Sequence, residues 1–297
     1  MKRRIFGIIF FSVLVLLGDR LGGWGLSKLV DRSQFRYSRL YQESAEAEIL
    51  LLGNSRGLSF FQPAIEEVTG QSTFNLSYNG MPVDLMKILV EDYLERYPAP
   101  KTVLIDITLC DRFNEQLVAG FGPYRHYSER LDSLIKMSDA KVWWAGRVSH
   151  LFRYNSEVFQ RALYYLGRSD EDWLLDRTIT PGLIETLAAP DYTFVFGYPE
   201  ETIAILNKLV KRLQQSGVQV RLVINPYFPS FRDKMIGLDR LKEQVEDITN
   251  QPVHDFSRAV EGLEYFGDFQ HLNQNGSRVY IDLLEQKGFF NSENSVD

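Results

Sequence analysis

The sequence predicts an α/β protein built on a parallel sheet with helices on both faces. Three observations lead there. Short, continuously apolar runs recur along the chain, each closed by Gly, Asn, Asp or a polar cluster, as expected of strands buried on both sides. Helical patterns separate these runs, and strand–helix alternation joined by right-handed crossovers builds this architecture. Hydrophobic residues make up 44% of the 297 positions and aromatics 13%, enough for a large core and unlike disordered or disulfide-stapled chains.

The N-terminus is a separate element. Lys2, Arg3 and Arg4 precede an uncharged apolar run from Ile5 to Leu17, closed by Gly18, the layout of a basic n-region and an h-region. Fourteen residues at 1.5 Å each reach only about 21 Å of a ~30 Å hydrocarbon core. Asp19 and Arg20 follow at once, so the far end must snorkel or thin the bilayer. An uncleaved signal anchor is the expectation, against a cleaved signal or a buried helix. Its basic end stays in the cytoplasm, which sets the globular part outside as a single-pass protein of the cytoplasmic membrane. Residues 5–18 are thus the membrane partner. Residues 1–25 form the anchor, and 26–46, rich in Arg, Ser and Glu, read as a helical or irregular stem.

The strands follow in order: Ala47–Leu52 (AEILLL), Thr73–Ser77, Thr102–Leu109, Val218–Asn225 and Pro252–Phe256. Between them lie helical patterns over Pro63–Thr69, Val83–Arg96, Pro199–Gln215 and Lys234–Ile248. A last helix is expected from about Gln274 to Glu285, with Val279, Ile281, Leu283 and Leu284 as its apolar face. The stretch 115–197 breaks this rhythm, shows no clean strand pattern and carries 14 aromatic residues between Phe121 and Phe196. It reads as a mostly helical cap inserted after strand three, its aromatics packing the cap or lining a carbohydrate platform. The α/β domain so defined spans 47–290, with a tail over 291–297.

Chemistry in such sheets sits at the carboxyl ends of the strands, and three groups of residues converge there. Gly53-Asn54-Ser55-Arg56-Gly57 follows strand one, where a serine on a strand-to-helix turn exposes its hydroxyl and its own N–H can help bind an oxyanion. Asp268-Phe269-Gln270-His271 precedes the last helix and supplies a base with a carboxylate to hold its tautomer. Asn75-Leu76-Ser77-Tyr78-Asn79-Gly80 follows strand two, where Gly80 can bring a backbone N–H close to a developing oxyanion. Arg56, beside the serine, either meets an anionic substrate or is an ion-paired helix-start arginine. Asn225-Pro226-Tyr227 follows strand four, as pocket rim or rigid turn.

Other classes are excluded. The formal charge is −6, from 33 Lys+Arg against 39 Asp+Glu, so no nucleic acid is expected as a partner. The single cysteine, Cys110, allows no internal disulfide and no cysteine metal cluster. His126, His150 and His254 lack metal-ligand spacing, and no phosphate loop or dinucleotide fingerprint appears. No cofactor and no metal are therefore expected.

These residues resemble the SGNH (GDSL-like) hydrolase superfamily. There a Gly-Asp-Ser block follows strand one, an oxyanion glycine follows strand two, an Asn follows strand three and Asp-x-x-His precedes the last helix. Gly53-Asn54-Ser55 is similar to the first block with Asn for Asp, and Asp268 to Gly276 (DFQHLNQNG) is very like the last. The resemblance covers 47–112 and 199–286. It implies a three-layer, flavodoxin-like fold, catalytic Ser55, Asp268 and His271, and an oxyanion site from the Ser55 and Gly80 amides. The third block departs, with Cys110 before Asp111 where the superfamily has Asn before Asp, and Asn79 or Asn114 is the replacement donor.

With its anchor, stem and ILLLGNSRG opening, the chain also resembles envelope proteins of polymer acylation systems, such as the D-alanyl transfer protein of teichoic acid operons and alginate O-acetylation proteins. That likeness implies a serine esterase or O-acyltransferase acting on acyl esters of an envelope or exported polysaccharide. It also implies a multi-pass membrane acyl-transfer partner. The alternative is a catalytically inactive protein of the same fold that binds glycan or such a partner.

Overall fold

The computed structural model describes residues 2–109, 113–169, 174, 176–187 and 193–291. The chain divides into two compact units, one of residues 1–44 and 114–170, the other of 45–113 and 171–297.

The second unit holds a five-stranded sheet: β1 (Ile49–Leu52), β2 (Thr73–Asn75), β3 (Thr102–Asp106), β4 (Gln219–Ile224) and β5 (Val253–Asp255). Their order is β2-β1-β3-β4-β5 and every pairing is parallel, the flavodoxin-like order. Leu51 sets the register, facing Asn75 on one side and Leu104 on the other. Ile49 to Leu52 are all fully buried, which is why β1 reads as an unbroken apolar run rather than an alternating one.

Five helices cover the sheet: α1 (Gln62–Thr69), α2 (Val83–Arg96), α3 (Glu200–Gln215), α4 (Leu238–Thr249) and α5 (Gln274–Gln286). Helix α1 packs on α5, while α3 packs on both α2 and α4, so the helices form two outer layers. The chain leaves β1 toward β2 and returns to β3 on the other side. The carboxyl end of β1 is therefore the topological switch point, where such sheets open a crevice.

Two elements differ from expectation. Met235–Ile236 pairs in parallel with Phe194–Val195, so α4 starts at Leu238 rather than Lys234. Two-residue strands carry no periodicity, and the partner lies about 40 residues away, so the pattern hid them. On α5 the buried face is Ser277, Tyr280, Ile281 and Leu284, whereas Val279 is exposed. Spacings of three, four and seven select Tyr280 in place of Val279.

In the first unit, one helix runs unbroken from Lys2 to Asp31 and is long and apolar enough to cross a membrane. Residues 2–18 of it are exposed. Shorter helices cover Arg36–Tyr41, Glu115–Gly120, Glu129–Ser138, Ala140–Val148 and Glu157–Tyr164. The last four start at Asn114, Ser128, Asp139 and Ser156, whose side chains accept the orphan N–H groups of the first turn. The stretch read as a stem is helical to Asp31 and then contributes to a core. Phe35 stacks on Tyr165 at 5.8 Å between ring centroids, Tyr37 meets Phe121 at 4.7 Å, and Tyr41 stacks on Tyr124 and Tyr127. Phe121, Tyr124 and Tyr165 are thus packing aromatics, whereas Trp144 and Phe152 face solvent. Trp173 and Tyr192 lie outside the described residues.

Candidate active site

Ser55 stands where β1 gives way to a single 3₁₀ turn, Arg56–Ser59. The turn is tight because two backbones nearly touch. A Cβ on Gly53 would lie 2.7 Å from the Gly57 Cα, and one on Gly57 would collide with Ser77. Asn54 secures the turn from both sides. Its Nδ2 donates to the Thr108 carbonyl at 2.7 Å, and its Oδ1 accepts the Arg56 N–H at 2.9 Å. An aspartate could make only the second contact, because an ionised carboxylate donates nothing. Ser55 is left half-buried in helical backbone geometry, φ −57° and ψ −27°.

Asp268 and His271 sit on a loop closed by an antiparallel bridge between Phe266 and Leu272. The Gly267 N–H donates to the His271 carbonyl at 2.9 Å. Asp268 Oδ1 accepts the N–H groups of Gln270 and His271 at 2.8 and 2.9 Å, so a spacing of three brings carboxylate and imidazole to one side. The remaining residues of that motif anchor the loop. Asn273 caps α5 by accepting the Gly276 N–H at 3.0 Å, and its Nδ2 donates to the carbonyls of Glu264 and Arg177. Gly276 passes against the Tyr265 backbone, where a Cβ would sit 2.9 Å from the carbonyl carbon and inside contact distance of its oxygen. Gly276→Ala is therefore expected to cost about 1–3 kcal/mol, read as a lowered thermal midpoint.

The fold joins the two segments. His271 Nε2 lies 2.8 Å from Ser55 Oγ, and His271 Nδ1 lies 2.9 and 3.0 Å from the two Asp268 oxygens. A carboxylate only accepts, so the neutral imidazole carries its proton on Nδ1 and presents the Nε2 lone pair to the serine hydroxyl. Burial pushes the Asp268 pKa up. The His271 hydrogen bond and charge, with the two backbone N–H groups, outweigh it and hold the carboxyl below its ordinary value. Because the native pKa is depressed, the stabilisation is complete above the unfolded-state value, ~3.9. It is lost as pH falls through the native pKa. Denaturant midpoints of wild type and Asp268→Asn, measured from about pH 6 to pH 2, should differ most at the upper end and converge at the lower.

Beneath the serine lies a network that sequence reasoning missed. Arg56 is 3% exposed, so the reading of it as a residue facing an anionic substrate is corrected. Its Nε donates to Thr108 Oγ1 at 2.9 Å and faces Asp106 at 3.7 Å, and its terminal nitrogens donate to the carbonyls of Gln270, Asn225 and Pro226. The guanidinium also stacks on Tyr227, 3.3 Å from the ring centroid. One side chain thereby ties the serine turn, the β3 and β4 ends and the histidine loop together. Asp106 accepts the Thr108 and Asn225 N–H groups, while Asn225 bonds the Arg56 carbonyl and the Tyr280 hydroxyl. Asn225 is fully buried, so it belongs to the floor rather than the rim. The available signals were an acid ending the β3 run and an Asn ending the β4 run.

Other expected residues are placed as follows. Gly80 lies in the turn after β2 with φ 66°, half-buried, and Asn79 beside it is exposed. Asn114 belongs to the other unit and its Oδ1 accepts the Leu117 N–H at 3.0 Å as a helix cap. Cys110 and Asp111 lie outside the described residues. Asn75 is 2% exposed and its amide nitrogen donates to the carbonyls of Gly57 and Phe60, which closes the end of β2 onto the serine turn. Among the described residues, no three His, Cys, Asp or Glu side chains gather as a metal site.

The fold and these distances define an α/β protein with a Ser–His–Asp constellation at the sheet's switch point. No protein-family model matches the sequence, and no curated protein matches it. Among solved structures the chain is similar to a Bacteroides fragilis protein described provisionally as an acylhydrolase, at 12% identity and a TM-score of 0.40, over 85% of this chain and 90% of that one.

Proposed function

We propose that this chain is a membrane-anchored serine esterase or O-acyltransferase of the SGNH type, acting on acyl esters of a cell-envelope or exported polysaccharide. The observation that carries the reading is the contact series Ser55–His271–Asp268, at 2.8 Å and then 2.9 and 3.0 Å. His271 takes the Ser55 proton as Oγ attacks the acyl carbonyl, and Asp268 orients the imidazole and stabilises the imidazolium. The backbone amides of Ser55 and Gly80 stabilise the oxyanion, with Asn79 as a further donor. The tetrahedral intermediate expels the alcohol, which leaves with the proton from His271. Water or a sugar hydroxyl then attacks the acyl-enzyme, and His271 serves as base again. Hydrolysis and transfer share every residue and differ in which hydroxyl arrives second.

The anchor is carried by the apolar helix, long enough to span a bilayer, and the basic residues before it favour an extracytoplasmic globular part. A multi-pass membrane protein delivering the acyl group is the matching partner.

A fluorophosphonate probe tests the nucleophile without a known substrate. The full chain in detergent is expected to label stoichiometrically at Ser55, and Ser55→Ala to lose the label. An unlabelled, folded wild type would replace this reading with a binding protein of the same fold.

A further inference from the structure

The uncharged run Ile5–Gly18 is too short to cross a bilayer alone, yet the helix that carries it continues past Asp19. The structure shows what happens at that charge. Asp19 accepts the N–H groups of His150 and Leu151 at 2.8 and 3.1 Å and bonds the Ser149 hydroxyl and Arg20. Arg20 in turn donates to the Val148 carbonyl. Gly22 and Gly23 let the same segment lie directly on the helix, since Cβ atoms there would meet Leu151 and His150 at 2.9 and 2.5 Å. Residues 148–151 are thus fastened to the helix at the level where its uncharged stretch ends.

That level is apolar on the outside. Trp144, Val148, Leu151 and Phe152 are exposed by 60, 68, 44 and 40%, as are Leu21 and Trp24 on the helix. From Ile5 to Trp24 is 20 residues, about 30 Å of helix and the thickness of the hydrocarbon core. Trp and Phe on such a rim suit the interface between acyl chains and headgroups.

The same unit holds a cavity of about 490 Å³ lined by Arg125, His126, Glu129, Asp132, Ser133, Arg147 and Arg153, the last two bracketing Val148, Leu151 and Phe152 in sequence. Asp132 pairs with both Arg125, at 2.5 Å, and Arg147, at 3.2 Å. Among the described residues, Arg153 has no such acid. Its Nε donates to the Gly146 carbonyl at 2.6 Å, and its terminal nitrogens bond no described residue. Arg125, whose Nη1 donates to the Trp143 carbonyl at 3.0 Å, and Arg153 line the same cavity. A planar, permanently charged fork with free donors suits a phosphate oxygen.

We propose that this edge lies in the bilayer surface and that the arginine cavity receives the phosphate of an anionic phospholipid. The site fixes the protein's height and tilt over the membrane, with the Asp19 carboxylate held by hydrogen bonds from the segment that carries the rim. The proposal rests on the reading of the N-terminal helix as an anchor.

The test uses the full chain in neutral detergent, offered equal phosphatidylglycerol and phosphatidylcholine and read by native mass spectrometry. Wild type should retain phosphatidylglycerol preferentially, and Arg147→Gln/Arg153→Gln should lose about tenfold of that preference. In nanodiscs of bromine-labelled lipid, the Trp24→Phe protein should show quenching that a further Trp144→Phe removes. Equal retention of both lipids by wild type, an unchanged preference in the double variant, or quenching indifferent to Trp144 would each overturn the proposal. Displacement of the lipid by an equal amount of inorganic phosphate would assign the cavity to a free anion and also overturn it. Recovery of the protein in the soluble fraction without detergent would instead remove the anchor reading, which separates the two failures.

Discussion

Ser55→Ala and His271→Ala are each expected to lower turnover of an acyl ester, such as a p-nitrophenyl ester, by at least ~10³-fold, with the fold intact. The expectation follows from geometry that needs no rearrangement. The Nε2–Oγ separation of 2.8 Å is a hydrogen bond already made, and both Asp268 oxygens hold the other ring nitrogen. Residues acting as one unit are not additive, so the double variant should lose little more than either single one. Ser55 is half-buried and, among the described residues, bears no structural bond beyond His271 and the carbonyl that accepts the Leu58 N–H. Its alanine variant should therefore unfold at nearly the wild-type temperature. Retained activity in a folded Ser55→Ala protein would remove the nucleophile from the mechanism.

Arg56→Ala is expected to cost about 3–5 kcal/mol, the usual consequence of deleting one partner of a buried ion pair. The change leaves Asp106, with no exposure at all, without its cation, and it strips the carbonyls of Gln270, Asn225 and Pro226 of their donor. It also empties the space over Tyr227. Arg56→Lys should recover only part of the loss, because an ammonium cannot span Thr108 and three carbonyls in one plane. Chemical denaturation of both variants checks this. A loss under about 1 kcal/mol for Arg56→Ala would place the residue among solvated surface charges. Since Arg56 connects the serine turn to the histidine loop, Arg56→Lys should also lower turnover while leaving fluorophosphonate labelling detectable.

Much of this was legible along the chain. The apolar runs at Ile49, Thr102 and Gln219 announce buried parallel strands because residues covered on both faces have no reason to alternate. Asp268 and His271 are three apart, a distance at which one turn decides their relation, so the pair could be read locally. Part of the serine turn was legible for the same reason: Gly53 passes against Gly57, and Asn54 Oδ1 accepts the Arg56 N–H, both within four residues.

The rest depended on partners distant in sequence. Arg56 and Asn225 are 169 residues apart, and no pattern near Arg56 distinguishes a cation bound for solvent from one bound for the core. Phe35, Tyr37 and Tyr41 sit in a polar-looking stretch whose aromatic partners begin some 80 residues later. The paired strands at Phe194 and Met235 are two residues each, too short to show a period. Asp19 reads as a charge that ends a membrane segment, yet the Ser149 hydroxyl and the backbone N–H groups of His150 and Leu151 hold it in place as a carboxylate.

The sequence by itself determined the strands of the five-stranded sheet, their crossovers and the apolar N-terminal helix, and it pointed to Ser55, Asp268 and His271 as a candidate set, because hydrophobic period and short-range turn chemistry act between near neighbours. Only the tertiary structure decided that Ser55 and His271 touch, that Arg56 is buried beneath them, and which residues receive Asp19. Those outcomes depend on long-range pairing of polar groups, where burial makes each hydrogen bond costly to leave unmade and the partner is chosen by topology rather than by spacing.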